Sequence, residues 1–254
     1  MATATIPQDS IQSFHLFRPI PTEKLKLLVF DLDGTLADTT TDLCNSVNAS
    51  LRHFSLDPLP NPIIAGFVGH GAPTLMQRSL AYALRIPVRE VTETFFAPFY
   101  SVFLEHYFEH ELDNTFLYPG ALESLRALNQ EAKQGRWSMA MLTNKPERAA
   151  KDLARGLGIA PFFTKIYGGD SLPVRKPDPK GLLVLAEQTG AQPDEIVMIG
   201  DSKVDVMTAR NARAWTLGCD FGFGPRNIME IPPDTLVTSA ADWAAVLMPI
   251  SFFH

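Results

Sequence analysis

The sequence predicts an α/β protein: a parallel sheet flanked by helices, with a separate helical segment inserted into it. Three observations carry this reading. Short, apolar, β-rich runs each stop at a polar or glycine-containing turn and pass into a helical pattern, the alternation that builds a parallel sheet. Between residues 38 and 115 that rhythm breaks and the pattern turns mostly helical. Two of the apolar runs end abruptly in carboxylates, and ligands of open parallel sheets gather at the carboxyl ends of strands.

Residues 1–24 carry Pro7, Pro19 and Pro21, which discourage a helix, and lack the basic start and continuous apolar segment of a secretory signal. They read as a partly ordered extension. The first strand, Leu25–Phe30, runs into Asp31-Leu32-Asp33-Gly34-Thr35. Residues i and i+2 of a strand share a side, so Asp31 and Asp33 converge where Gly34 lets the backbone turn. Two like charges so close call for a cation or a shared proton. A metal-assisted reaction on an anion is the first hypothesis, and a strand ending in a solvated acidic turn has the same local spelling.

The inserted segment opens with Asp38, Thr39 and Thr40 as N-cap candidates, followed by Leu43, Val47, Leu51 and Phe54 at helical spacing. Residues Leu75–Leu84 and Phe95–Phe108 predict two further helices. Phe95, Phe99, Phe103 and Tyr107 recur every four residues and read as a core stripe rather than a ligand box. Tyr118-Pro119-Gly120 marks the return to the main domain. The domain boundaries are therefore an extension over 1–24, an α/β core over 25–37 and 116–254, and a helical unit over 38–115.

Four more strands are predicted over Trp137–Leu142, Lys165–Tyr167, Ile196–Ile199 and Ala214–Cys219, with helices over Glu147–Leu157, Pro179–Thr189 and Val204–Asn211. Gly158, Gly190 and Gly200 punctuate them. Thr143 and Asn144 stand at a strand end before a helix that Pro146 starts well, a position for an oxyanion site or an ordinary cap. In Arg175-Lys176-Pro177-Asp178-Pro179 the prolines restrict the backbone, so Lys176 can be held over the site. Asp201 should face the same crevice as Asp31. Asp205, one turn into the next helix, either reaches a metal and its water or serves the helix dipole.

Bulk properties narrow the function. A chain of 254 residues with 46% hydrophobic content suffices for one sizeable core and a smaller unit. A formal charge of −6 and no Lys/Arg block argue against a protein built to grip nucleic acid. No apolar stretch approaches the length of a membrane span. Cys44 and Cys219 lie far apart with no metal-ligand spacing and read as reduced core thiols, which suits the cytoplasm.

Taken together and in order, Asp31/Asp33, Thr143, Lys176 and Asp201/Asp205 resemble the four motifs of the haloacid dehalogenase-type phosphatases, from about residue 25 to the C-terminus. That resemblance implies a Rossmann-like core with an inserted helical cap. A narrower resemblance, to bacterial phosphoglycolate phosphatases, rests on Val68-Gly69-His70-Gly71-Ala72-Pro73, Thr143-Asn144-Lys145-Pro146 and Gly168-Gly169-Asp170-Ser171-Leu172-Pro173. It implies hydrolysis of a phosphate monoester, 2-phosphoglycolate to glycolate and phosphate, through an aspartyl phosphate. Asp31 would be nucleophile and Asp33 general acid and then base, with Thr143 and Lys176 on the phosphoryl oxygens. Mg²⁺ would sit between Asp31, the backbone carbonyl of Asp33, and Asp201, with Asp205 supporting that shell.

An acid at position 33 favours a phosphate ester over a halide, since halide leaves without a proton. Substrate choice would fall to Gly69, His70, Gly71, Arg78 and Asn144. The sequence departs from the narrower group at His70, where asparagine is common. Hydrolysis of another phosphosugar, nucleotide or pyrophosphate, a phosphosugar mutase, and a catalytically idle binding module are the alternative readings. A small phosphorylated metabolite is the expected partner, with neither nucleic acid nor membrane, for a monomer or homodimer.

Overall fold

A computed structural model describes residues 14–223 and 228–248. Inside the sheet lies β2 (Leu27–Phe30), paired in parallel with β5 (Ser138–Leu142) on one side and β7 (Ile196–Gly200) on the other. β6 (Lys165–Tyr167) extends the sheet beyond β5, while β8 (Trp215–Cys219) and β9 (Thr235–Val237) extend it beyond β7. The register sets Phe30 opposite both Met141 and Ile199, so three strands end side by side. The chain builds outward from β2 in one direction and then crosses to build in the other, which makes the carboxyl end of β2 the switch point where a crevice opens.

All four residues of β2 are buried, as expected of a strand covered on both faces. Leu28 and Phe30 face α5 (Ala121–Lys133), α6 (Glu147–Gly156) and the helix Asp242–Leu247. Leu27 and Val29 face α7 (Lys180–Thr189) and α8 (Lys203–Ala212). Phe30 meets Trp243 edge to face at 5.6 Å between ring centroids; each fully buried side chain of this kind contributes roughly 2–3 kcal/mol. A rigid floor results beneath the residues that follow Phe30.

A two-stranded ribbon, β3 (Ala37–Asp38) against β4 (Phe116–Leu117), carries the chain out to the helical unit and back. That unit comprises α1 (Thr40–His53), α2 (Asn61–Ala65), α3 (Ala72–Leu84) and α4 (Glu93–His110). Leu43, Val47, Leu51, Ile64, Leu75, Met76, Phe99 and Phe103 form its own core. The predicted helices over 75–84 and 95–108 are present and longer at both ends or one.

Several expectations need correction. Within the extension, Phe14–Leu16 forms β1, antiparallel to β9 at the sheet edge; Pro7 and the rest of residues 1–13 lie outside the described residues. Thr39 does not use its side chain as a cap. Asp38 accepts from the Thr40 amide at 2.9 Å, while Thr39 Oγ1 donates to Asp33 at 2.7 Å, a charge-assisted bond that fixes its rotamer, and accepts from no helix amide. α5, β9 and the helix Asp242–Leu247 were not anticipated, since Ala121–Lys133 is amphipathic but polar on average and the other two are short.

Asp42, fully buried in α1, fastens the insert where it rejoins the core: it accepts from the Asn114 amide at 2.9 Å, from Asn114 Nδ2 at 2.8 Å and from Thr115 Oγ1 at 2.8 Å. Asp42→Ala leaves these donors unpaired and should lower unfolding free energy by about 3 kcal/mol in urea denaturation. A loss below about 0.5 kcal/mol would show that the fastening is not needed.

Candidate active site

Asp31 follows the last residue of β2, its amide donating to Ile199 O at 2.9 Å so that the strand geometry continues one residue further. Gly34 then turns the chain with φ +82°, and a Cβ there would collide with the Asp201 carboxylate. Only glycine fits both the dihedral and the approach. Asp201 leaves β7 beside it, accepting from the Phe223 amide at 2.7 Å.

Carboxylate oxygens of Asp31, Asp201 and Asp205 lie within 4.8 Å of one another, and all three residues are buried. Lys176 is the counter-ion, with Nζ 2.9 Å from Asp31 and 2.6 Å from Asp205. Burial opposes its charge, yet Asp205 and Asp31 hold its pKa up at about 12. Asp31 is pushed from the ordinary 3.8 up to about 7, by burial first, with Lys176 acting against the rise and Asp205 adding to it. Three acids against one ammonium leave negative charge buried, and an all-oxygen donor set of this kind suits a hard divalent cation. Asp205 also closes the capping box of α8, accepting from the amide and hydroxyl of Ser202. The reading of Asp205 as serving the start of its helix is thus met, and the same carboxylate also belongs to the acidic cluster.

Asp33 stands apart from this cluster. Its side chain takes the Thr39 hydroxyl and the Lys145 ammonium, the latter at 3.0 and 3.3 Å. Sequence reasoning assigned Lys145 no role of its own, although the Thr143-Asn144-Lys145-Pro146 string contains it. The missing signal was its burial: a lysine only 5% exposed cannot be a solvated surface charge. Burial works against its proton, but Asp33 and Tyr107 outweigh this and hold its pKa above the ordinary lysine range.

A cavity of about 270 Å³ opens over these residues. Asp31, Asp33, Thr143, Asn144, Lys145 and Asp201 line its core side. Gly69, His70 and Gly71 with Phe103, Leu104 and Tyr107 line its helical side. Phe103 and Tyr107 thus serve both as core stripe and as cavity wall, where the sequence reading made them core alone. Three predicted residues do not line it, Asp205, Lys176 and Arg78. Lys176 lies behind Asp31, and Arg78, on α3, acts on the cavity only through charge: burial, then Arg78 and Lys203, lower the pKa of His70. His70 is therefore a neutral donor or acceptor near pH 7.

Asn144 Nδ2 bridges the two units, donating to Gly69 O at 3.2 Å and Lys176 O at 3.0 Å, while its Oδ1 is buried and unpaired. Gly71, with φ +88°, passes too close to Asn144 O for a side chain. Gly168 and Gly169 pack against Asn144 and Glu147 with no room for a Cβ, and Asp170 accepts from the Glu147 amide at 2.7 Å. The Gly168–Ser171 string therefore supports the Thr143 loop from behind.

Comparison with known proteins agrees with this geometry. Residues 25–213 match the haloacid dehalogenase-like hydrolase family. The chain belongs to the haloacid dehalogenase-like hydrolases. A phosphoglycolate phosphatase of Haemophilus influenzae is 33% identical over 225 residues, covering 88% of this chain and 99% of the relative. Another from Agrobacterium fabrum is 35% identical over 226 residues, covering 89% and 92%. The crystal structure of a predicted phosphoglycolate phosphatase from Haemophilus somnus superposes with a TM-score of 0.82 at 32% identity, covering 89% of this chain and 99% of that one. This haloacid dehalogenase-like chain is an enzyme, and its named relatives place it among the family's phosphatases. Enzymes of the family use a divalent metal, and the cluster of Asp31, Asp201 and Asp205 fits one.

The raised pKa of Asp31 has a signed consequence. Below about 3.8 both folded and unfolded chains hold the proton; between 3.8 and 7 only the folded chain keeps it, so the stability this group contributes is lost as pH climbs through that window and is gone above it. Glu111, buried and raised to about 7, titrates in the same sense. In metal-free protein, Asp31→Asn should therefore gain on the parent chain progressively from pH 4 to 7 and level off above, the Glu111 contribution cancelling in the difference. Chemical denaturation across that range checks it, and a pH-independent difference would contradict it.

Proposed function

We propose that this hydrolase is a Mg²⁺-dependent phosphatase that cleaves 2-phosphoglycolate to glycolate and phosphate through an aspartyl phosphate on Asp31. The observation that carries the reading is a division of labour between two neighbouring carboxylates. Asp31 belongs to the buried acidic cluster, while Asp33, outside that cluster, lines the same cavity and pairs with Lys145. Residues 25–37 and 116–254 supply this chemistry, and 38–115 close over it as a cap. Support for the substrate comes from the names of the relatives and from a cavity of about 270 Å³, smaller than the pockets that hold drug-sized ligands.

Asp31 attacks phosphorus in line, and the bond to the ester oxygen breaks as that oxygen takes a proton from Asp33. Asp33 then removes a proton from water, which attacks the phosphoryl group and frees Asp31 with phosphate as product. Thr143, at the end of β5, donates its hydroxyl to a phosphoryl oxygen. Lys176 holds Asp31 in orientation and offsets the charge gathered around it. Asp31, Asp201 and the backbone carbonyl of Asp33 would hold Mg²⁺, which neutralises phosphoryl charge when bound. Asp205 fixes Lys176 and the start of α8. The two buried free thiols, Cys44 and Cys219, suit a cytoplasmic enzyme.

Asp31→Asn should lower kcat by about 10⁴-fold or more, with the fold intact by circular dichroism. Asp33→Asn should slow transfer of the phosphoryl group to Asp31 by roughly 10²–10⁴-fold from an alkyl phosphate but by much less from p-nitrophenyl phosphate, whose leaving group needs no proton, while steady-state turnover falls for both because the attacking water loses its base. Across a panel of phosphate esters at saturating Mg²⁺, kcat/KM should favour 2-phosphoglycolate over hexose phosphates by about 10²-fold or more. Undiminished turnover in Asp31→Asn would refute the nucleophile, and a flat panel would refute the substrate.

A further inference from the structure

One end of the cavity holds hydrogen-bond donors without acceptors to match. Lys145 presents three N–H groups, and its carboxylate partner among the described residues is Asp33 alone. On its other side lies the face of the Tyr107 ring, with Nζ 4.7 Å from the centroid. The Tyr107 hydroxyl is buried, on a residue only 2% exposed; the Lys145 ammonium lies beside its oxygen, and no acceptor takes its proton. Its ring is stacked on Phe103 at 5.5 Å, which fixes the direction of the hydroxyl. A buried hydroxyl whose proton has no acceptor costs about 1–3 kcal/mol, and it persists here inside a wall otherwise made of Phe103, Leu104 and Phe108. Burying an ammonium and a hydroxyl in an apolar wall is explained if the ligand brings the acceptors.

Connectivity says which part of the ligand this is. Asp33 must touch the ester oxygen to protonate it, and Lys145 Nζ lies 3.0 Å from Asp33 and lines the same cavity. A group attached one carbon beyond the ester oxygen therefore arrives at Lys145 and Tyr107. We infer that the Lys145 ammonium and the Tyr107 hydroxyl together receive a carboxylate at the organic end of the substrate, so that an acidic phosphate ester is read by one group from the core and one from the cap. This rests on the phosphatase reading above. It also gives the cap a reason to close on the correct substrate, because α4 supplies Tyr107 and the loop after β5 supplies Lys145. His70, neutral near pH 7, then shapes the cavity without being the main charge partner.

The test compares 2-phosphoglycolate with 2-hydroxyethyl phosphate, which replaces the carboxylate by a neutral hydroxymethyl group. The quantity read is the ratio of their kcat/KM values, so that any general loss through Asp33 cancels. Lys145→Met should lower the ratio by about 30-fold or more, with KM for the acid rising more than kcat falls. Tyr107→Phe, which keeps the ring, should lower it by about 3- to 10-fold. If Lys145→Met does not fold, Lys145→Gln and Tyr107→Phe decide the matter. A ratio that moves by less than about threefold in the folded variants, or a parent enzyme that hydrolyses both esters equally well, overturns this inference while leaving the phosphatase reading in place. A parent enzyme inactive on every phosphate ester overturns both.

Discussion

Asp31, Asp201 and Asp205 gather carboxylate oxygens within 4.8 Å of one another at the end of a fully buried strand, with one ammonium, Lys176, among them. Like charges held so close in a low dielectric oppose folding unless cations or protons offset them. Most of the surrounding design serves to hold that arrangement. Leu27–Phe30 and Ile196–Gly200 are buried throughout, so the two strand ends that carry the acids cannot spread apart. Gly34 lets the chain turn against Asp201 where any side chain would intrude. Asp205 is tied to both the first turn of α8 and Lys176. The same charge that burdens folding suits the site to a divalent cation.

The cap completes what the core cannot. At the sheet end alone, Asp31 and Asp33 would face water, and every electrostatic interaction there would be weaker. Helices α3 and α4 bring Gly69–Gly71 and the aromatic stripe over the crevice, and Asn144 hydrogen-bonds to Gly69 O across the gap. Polarity is divided within the resulting cavity. Its acids lie on the core side at Asp31, Asp33 and Asp201, whereas its cap side is mostly apolar with the Tyr107 hydroxyl set into it. Lys145 sits at the seam between the two, which is why its partners come from both.

The sheet was legible in the sequence because each central strand is an unbroken apolar run ending in a chemical residue: Phe30 before Asp31, Leu142 before Thr143, Ile199-Gly200 before Asp201. The acidic half of the site followed from those endings and from the regular spacing after them. Edge elements were not legible. Phe14–Leu16 and Thr235–Val237 are three residues each and gain their strand character from pairing, the first with the second over more than two hundred residues of sequence and the second also with Trp215–Cys219. Lys145 was hidden for a related reason, since a lysine's burial is a property of the cap that closes over it rather than of its neighbours in the chain. Tyr107 and Phe103 were read as core, correctly, but a four-residue periodicity does not say whether a stripe ends inside the core or continues into a cavity wall. Thr39 was misjudged because the competing acceptor, Asp33, approaches it only through the tight turn at Gly34.

The central claim is that Asp31 carries the phosphoryl group while Asp33 handles the proton. It is tested most directly by stalling the second half of the reaction. The Asp33→Asn enzyme, supplied with Mg²⁺ and p-nitrophenyl phosphate and quenched in acid, should yield by peptide mass spectrometry one phosphoryl group on the peptide containing Asp31, and borohydride reduction should mark that same residue. Turnover proceeding with no phosphorylated peptide, or with the label on any residue other than Asp31, would contradict the mechanism.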